Sequence, residues 1–516
     1  MWLKLKKYGL SFKLDMLLVF ALGIITAFAF PPYDFVLAAI PAFSIFILLI
    51  YSQPSRAFMY GLFYGLGQFF FAFHWLMPSM TEFGQIPETT AYALFFAVCA
   101  EVALYPALFA YVLAKLGKKL DWSSLLLTPA LWVLTEWLRS NMFPFAWNLI
   151  GYSFYPYETL LQISDLASVY LLSFIFVFFS TSISLMIALR LDGLRRVIPV
   201  FSVLLTVFVF VWAYGIHKLD VVNQEVSLSK KISVAAIQGN IPQQDKWRND
   251  LQVEVFDIYM ALSRELSNEV DLIVWPESSL PFFLQDNNIA MQELKLLSLE
   301  TRTDLLIGAD TYTGKDEARK FFNSLLLINT DQGVAGQYNK FHRVPFGEYM
   351  PLREYLPESL AGFSLSDAFS SVEAGTGVSI MPWKNIKLGP LICYESIFPR
   401  HSRALAAMGA DIFVNVSNDA WFGEAAKPQH LLMTRLRAIE NRRSLVRVSN
   451  TGMTQMFDAA GNTTVAIESG VRGYAFAKVP LTKLSSINAL YGQYFIVFCL
   501  LVFCYSLFMR YGTKAY

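Results

Sequence analysis

Three short stretches carry side chains that could act together on a carbonyl group: Glu277 in "VWPESSLP", Lys340 in "GQYNKFHRVPFGEYMP" and Cys393 in "GPLICYES". Each stands where an apolar, β-rich run gives way to a turn. Glu277 follows Trp275 and Pro276, Lys340 precedes a Pro-rich loop, and Cys393 closes "LGPLIC" ahead of a helical stretch. In open α/β folds the ends of strands are where ligands and chemistry collect. A carboxylate there can take a thiol proton, the sulfur can attack a carbonyl, and an ammonium can neutralise the resulting oxyanion. A turn into a helix adds free N–H groups and a positive helix end, which favour both thiolate and oxyanion. Taken alone, Cys393 also fits a small buried hydrophobe, because free cysteine is among the most buried residue types. The other three cysteines, Cys99, Cys499 and Cys504, lie in long apolar segments. Cys393 therefore has no partner in its own region, which leaves burial, intermolecular pairing or reactivity.

The elements that must position these groups are strands alternating with amphipathic helices between residues 217 and 488. "KISVAAIQGN" precedes a helix with Leu251, Val255, Tyr259, Leu262 and Leu266 at helical spacing. "DLIVWPE", "DLLIGAD", "NSLLLINT" and "GVAGQYNKFH" follow, with a helix near 290–301. Then come "IKLGPLICYES", a helix from about 398, "ADIFVNVSND", a helix near 430–443, "SLVRVSNTG" and a closing hairpin. Such alternation implies an α/β domain with helices packed on sheet. The loop from Phe341 to Ser371, with Pro345, Pro351 and Pro357, is too long for a connector and is expected to act as a lid.

The rest of the chain belongs in lipid. Of 516 residues, 55% are hydrophobic and only 16% charged, and such a chain must hide most of its length from water. A net charge of +1 argues against a nucleic-acid partner, which needs a basic face. With no CxxC pair, HExxH or histidine cluster, no metal and no cofactor is expected. Apolar stretches at roughly 15–31, 35–51, 57–77, 90–114, 123–138, 167–189, 197–216 and 489–509 are each expected to cross a bilayer. The N-terminal stretch lacks a small-residue cleavage site and is expected to be a retained helix. Three regions result: residues 1–216 with seven helices, 217–488 as the α/β domain, and 489–516 as the last helix and tail. Lys4, Lys6, Lys7, Lys13, Arg56, Lys115, Lys118, Lys119, Arg190, Arg195, Arg196, Arg510 and Lys514 flank one side, and only Arg139 occupies an opposite short loop. Basic flanks face the cytoplasm, so both termini are expected inside and the α/β domain outside.

The stretches "QGNIPQQDKW", "WPE", "NKFHRVPFGEYMP", "CYE" and "VSNDAWFG", with the helix count and the position of the α/β insert, resemble a known family. They are similar to the nitrilase, or carbon–nitrogen hydrolase, superfamily, and most closely to its apolipoprotein N-acyltransferase family. The resemblance implies an αββα sandwich on a multi-pass helical membrane domain. It implies Glu277 as general base, Lys340 as oxyanion cation and Cys393 as nucleophile. Glu348 and Glu395 become supporting carboxylates, and Tyr394, Trp247, Asn418 and Trp421 line the pocket. It further implies ping-pong acyl transfer from a phospholipid, through a Cys393 thioester, to the α-amino group of a diacylglyceryl-modified apolipoprotein. The setting would be a bacterial inner membrane, with a monomeric enzyme whose catalytic domain is periplasmic.

Neighbouring residues admit rival roles. His342 could pair with Cys393 in place of Glu277, or simply pack nearby. Glu101 lies in an apolar segment, where an ionisable group is either functional or part of an interhelical hydrogen bond. Arg139 either pairs with Glu136 one turn earlier or holds the donor's phosphate, which a guanidinium fork fits bidentately. Two rival functions also stand: a membrane-anchored amidohydrolase, for which eight helices are excessive, and a non-catalytic transporter, which predicts more intramembrane charge than Glu101.

Overall fold

The computed structural model describes residues 12–84, 86–117, 119–142, 145–190, 193–266, 270–345, 347–349 and 372–511. Most of the expected lid therefore lies outside the described residues. Two compact units emerge: Met1–Met77, Glu88–Leu219 and Tyr491–Tyr516 form one, and Pro78–Pro87 with Asp220–Leu490 the other. The short segment Pro78–Pro87 between two apolar stretches thus groups with the sheets.

In the first unit all eight apolar stretches are helical: Phe12–Ala27, Val36–Ser52, Ala57–Ala72, Glu88–Leu116, Ser124–Met142, Ser164–Arg190, Leu194–Leu228 and Tyr494–Tyr511. Among the described residues, four helices are individually long and apolar enough to cross a bilayer: Glu88–Leu116, Ser164–Arg190, Leu194–Leu228 and Tyr494–Tyr511. Val36–Ser52 and Pro54–Ala72 meet that test only as a pair, bent by 109°. The described part of the first helix, Phe12–Ala27, has 16 residues. Glycine brings these helices together. A Cβ on Gly61 would stand 2.2 Å from the Pro106 carbonyl oxygen, so only glycine permits that backbone approach.

The second unit is a sandwich of two six-stranded sheets. The first sheet contains β1 (Lys231–Gln238), β2 (Leu272–Trp275), β3 (Asp304–Thr313), β4 (Lys320–Asn329), β5 (Gly333–Asn339) and, at the far end of the chain, β12 (Gly473–Pro480). The second contains β6 (Met381–Trp383), β7 (Ile386–Ile392), β8 (Ile412–Ser417), β9 (Ser444–Ser449), β10 (Thr454–Phe457) and β11 (Thr463–Ile467). Their orders are β12-β1-β2-β3-β4-β5 and β11-β10-β9-β8-β7-β6. Each centres on three parallel strands, β1-β2-β3 and β7-β8-β9, with antiparallel strands at the flanks. Helices Gln252–Arg264 and Asn288–Thr301 cover the outer face of the first sheet, and Pro399–Ala407 and Ala426–Asn441 that of the second. On the inner side β1 and β2 meet β9, and β4 meets β7. This is an αββα sandwich.

A strand covered on both faces has no solvated side, which is why "LIVW" and "IFVNVS" are buried at every position. Asn415 and Ser417 of β8, and Arg447 and Ser449 of β9, recur every second position and so share one face. Trp275 anchors β2: its ring stacks on Tyr259 at 5.0 Å and its Nε1 donates to Ser263 Oγ at 2.9 Å.

Candidate active site

Glu277, Lys340 and Cys393 sit just past the carboxyl ends of β2, β5 and β7, and all three are buried. The turn after β2 lies tightly over β3. A Cβ on Gly308 would fall 2.3 Å from the Pro276 carbonyl oxygen, and Ser279 N–H donates to the Gly308 carbonyl at 2.7 Å. Ser278 adopts a left-handed φ of 45°, and Cys393 does the same at 50°. Non-glycine residues at such angles cost of order 1–3 kcal/mol each and cluster at active sites.

Lys340 lies between two carboxylates, with its Nζ 3.1 Å from Glu277 Oε1 and 2.7 Å from Glu348 Oε1. Asn323 Nδ2 donates to both, at 2.7 and 3.3 Å. The other Glu277 oxygen accepts the Asn418 main-chain N–H at 2.8 Å, and Glu348 Oε2 accepts that of Val344 at 2.8 Å. Burial pushes the Glu277 carboxyl up, but the charges of Lys340 and Lys246 and the Asn323 amide outweigh it, so Glu277 stays ionised. Burial likewise disfavours the Lys340 ammonium, and Glu277 and Glu348 more than restore it. The Cys393 thiol is pushed well above its ordinary range by burial first and by the Glu277 charge second, while Lys340 and the Ser417 hydroxyl pull it back. The resting site is therefore thiol, carboxylate and ammonium. Such a set can move the thiol proton to a carboxylate as sulfur attacks a carbonyl, with an ammonium beside the developing oxyanion.

Glu395 fastens the end of β5 to the end of β7. Its Oε1 accepts from Tyr338 hydroxyl at 2.9 Å and from the main-chain N–H groups of Phe341 and His342 at 2.8 and 3.0 Å. Its Oε2 accepts from Ile392 N–H at 2.8 Å. Tyr394 is buried edge-on against Phe398 at 5.2 Å. Asn418 also donates its amide to Gln243 Oε1 at 2.7 Å and accepts from Asn450 at 3.1 Å. Trp421 closes the same turn, and its carbonyl accepts from Ser79 Oγ at 2.6 Å. Trp247 presents a ring that is 36% exposed, next to the buried Lys246.

His342 lies among aromatic rings and cations. Burial, then the charges of Arg400, Lys340 and Arg343, lower its pKa to about 3. Its ring packs on Phe398 at 4.2 Å and His401 at 5.2 Å, with Nδ1 3.4 Å from Arg400.

Arg139 belongs to the helical unit, and its position corrects the expectation of a place on an outer short loop. It occupies the last turn of helix Ser124–Met142 and is buried. One Nη donates to the carbonyls of Trp147 and Asn148 at 3.1 and 3.4 Å, and the guanidinium lies 5.1 Å from the Phe69 ring. Glu136 accepts the Ile150 N–H at 2.7 Å. The chain folds back over this turn through Trp147–Ile150, which residue spacing alone does not foretell.

Several residues of the site escaped sequence reasoning. Lys246 is buried with its Nζ 3.1 Å from the Glu277 carbonyl oxygen, and burial lowers its pKa to about 8. Asp310, next to Ser278, is pushed up to about 6 by burial. Asn323 is a buried amide within β4. Asp419, His430 and Arg447 form a buried cluster behind Cys393. Lys246 and Asp419 lay inside motifs already quoted, where the aromatic neighbours drew attention instead. Asn323, His430 and Arg447 have no local signature.

A carboxylate, a lysine and a cysteine at three strand ends of an αββα sandwich define the class of carbon–nitrogen hydrolases. Comparison agrees: the carbon–nitrogen hydrolase family matches residues 233–489, and the apolipoprotein N-acyltransferase N-terminal domain matches residues 22–182. The apolipoprotein N-acyltransferase of Geobacter metallireducens is 34% identical over 87% of this chain and 86% of its own length. Those of Shewanella oneidensis and Methylococcus capsulatus are each 33% identical, over 93% and 86% of this chain and 92% and 86% of theirs. The chain belongs to the apolipoprotein N-acyltransferase family, acyltransferases of lipoprotein maturation.

Proposed function

We propose that this protein takes an acyl chain from a phospholipid onto Cys393 as a thioester and passes it to the α-amino group of a diacylglyceryl-cysteine at a lipoprotein N-terminus. The observation that carries this reading is the Glu277–Lys340–Glu348 array at the strand ends that also bear Cys393. In acylation Glu277 removes the thiol proton as Sγ attacks the ester carbonyl. Lys340 faces the oxyanion, and the proton passes to the departing glycerol oxygen, releasing a lysophospholipid. In the second half the acceptor's ammonium gives up a proton, its nitrogen attacks the thioester, and sulfur leaves to become thiol again. One proton per turnover goes to solvent. The product is an amide, stable where the thioester is not. Glu395 and Asn418 hold the main chain around the three groups, and Tyr394, Trp247 and Trp421 shape the approach.

The enzyme works in a bacterial inner membrane with the sandwich on the periplasmic side, a reading supported by the apolar helices and by the asymmetry of basic flanks. The enzyme acts as a monomer. Arg139, held by two carbonyls, fixes the fold of its own helix end and contributes to donor binding through the Nη that has no hydrogen-bond partner among the described residues. Mass spectrometry of the intact protein incubated with phospholipid and no acceptor tests the central claim. An acyl adduct on Cys393, discharged by a diacylglyceryl-cysteinyl peptide, is expected. Steady release of free fatty acid without acceptor would instead identify a hydrolase.

A further inference from the structure

Behind the nucleophile three buried side chains, Asp419, His430 and Ser396, lie in series at hydrogen-bond distances. His430 Nδ1 lies 3.1 Å from Asp419 Oδ1, and Nε2 lies 3.1 Å from Ser396 Oγ. None is accessible to a substrate, so the set serves no second hydrolytic site. It points instead at the main chain of Cys393. The carbonyl oxygen of Cys393 accepts from Ser396 Oγ at 3.0 Å, faces His430 Nε2 at 3.3 Å and accepts from Asn415 Nδ2 at 3.4 Å. That oxygen can only accept, so the contact requires the proton on Nε2, and Nδ1 of the neutral ring then accepts from Arg447 Nη2 rather than donating to Asp419. Arg447 locks the far end, with Nη2 2.6 Å from Asp419 Oδ2 and 3.2 Å from His430 Nδ1, and Nη1 2.5 Å from Asn415 Oδ1. The approach is so close that a Cβ on Gly452 would fall 2.1 Å from Asp419 Oδ2.

The same turn, Ser417 to Trp421, reaches the other half of the chemistry. Its Asn418 N–H holds Glu277 Oε2 at 2.8 Å. Glu277 ends a strand of the first sheet and Cys393 a strand of the second, so nothing in either sheet sets their mutual position. The turn does: one residue grips the carboxylate, and the next, through Arg447 and His430, reaches the peptide of the nucleophile. We propose that Asp419 and His430 are positioning residues that hold Cys393 in its left-handed conformation and in register with Glu277. This rests on the Cys393 thioester reading above.

Burial and then Arg447 lower the His430 pKa, while Arg447 and His430 together overcome burial to hold the Asp419 carboxyl far below its usual range. Position, not proton transfer, is its contribution. A misplacement of about 1 Å can cost on the order of 100-fold in rate.

Two substitutions separate this role from simple packing. The amide of Gln in His430→Gln reaches the place of Nε2, whereas that of Asn in His430→Asn reaches only the place of Nδ1. The full-length protein in phospholipid vesicles, without acceptor, is followed by intact mass for the rate of acylation at Cys393, alongside its melting temperature. His430→Gln is expected to acylate within about threefold of the unsubstituted protein. His430→Asn is expected to fall by about 10- to 100-fold, with an unchanged apparent KM for phospholipid and a melting temperature matching that of His430→Gln. Equal rates in the two variants, or a loss confined to KM, would overturn the inference. If the unsubstituted protein formed no adduct on Cys393, the thioester reading itself would fail, an outcome distinct from equal rates on an adduct that does form.

Discussion

The resting state of the three reactive groups follows from a competition between desolvation and neighbouring charge, and the outcome differs at each residue. Glu277 has two cations and two N–H donors near it and stays ionised, whereas burial first and the Glu277 charge second disfavour the thiolate of Cys393. Glu277→Gln and Lys340→Met should each slow adduct formation on Cys393 by roughly 100- to 1,000-fold, the usual cost of removing one preorganised charge or donor. An adduct forming at the normal rate in Glu277→Gln would remove Glu277 as the base. Lys246 makes a different prediction. Its folded pKa of about 8 lies below the ordinary 10.5, so the folded state binds that proton less tightly than the unfolded chain. This penalty is present in full below about pH 8 and fades as pH rises from there toward 10.5. Lys246→Met should accordingly raise the melting temperature at pH 7, with the gain shrinking above pH 8. A lower melting temperature at pH 7 would mean that the bond to the Glu277 carbonyl outweighs the cost of burial.

At the scale of elements, the chemistry depends on registering strands from two sheets that share no hydrogen-bond ladder. Glu395 is one strap and the Ser417–Trp421 turn another. A residue that merely supported its neighbours would be expected to tolerate substitution better than the three reactive groups. Glu395, however, accepts from Tyr338, Phe341, His342 and Ile392 at once. Glu395→Ala would leave these donors without an acceptor in the interior, at about 1–3 kcal/mol for each that water cannot reach. It should lower both the melting temperature and the acylation rate, and Glu395→Gln should be milder because its carbonyl oxygen can still accept from Phe341 and His342. Wild-type stability and rate in Glu395→Ala would show that the strap is dispensable.

For the whole molecule, the division of labour is between a helical unit rich in exposed apolar side chains and a sheet unit that carries the reactive groups. Leu194–Leu228 is one continuous helix in which the boundary between the two falls. The asymmetry of basic residues argues that the sheet unit lies outside the cytoplasm. Lys315 sits on an exposed turn between β3 and β4 and offers a site for a reporter. In Lys315→Cys, a membrane-impermeant maleimide should label intact spheroplasts. Labelling only after lysis would reverse the orientation.

The sequence alone determined what depends on local pattern. Strand runs and their terminal residues placed Glu277, Lys340 and Cys393 at strand ends, and the eight apolar stretches are all helices, because hydrophobic periodicity and length are written in consecutive residues. Glu348 and Asn418 were visible too, as members of contiguous motifs. What escaped was set by residues distant along the chain. Asn323 touches Glu277 and Glu348 only because β4 pairs between β3 and β5, and His430 reaches Cys393 only because its helix packs on the second sheet. Arg139 shows the same limit from the other side. Its position at a helix end suggested an outer short loop, yet the chain returning through Trp147–Ile150 buried it against main-chain carbonyls. A buried polar group must find partners wherever the fold supplies them, and sequence spacing carries no record of which ones those are.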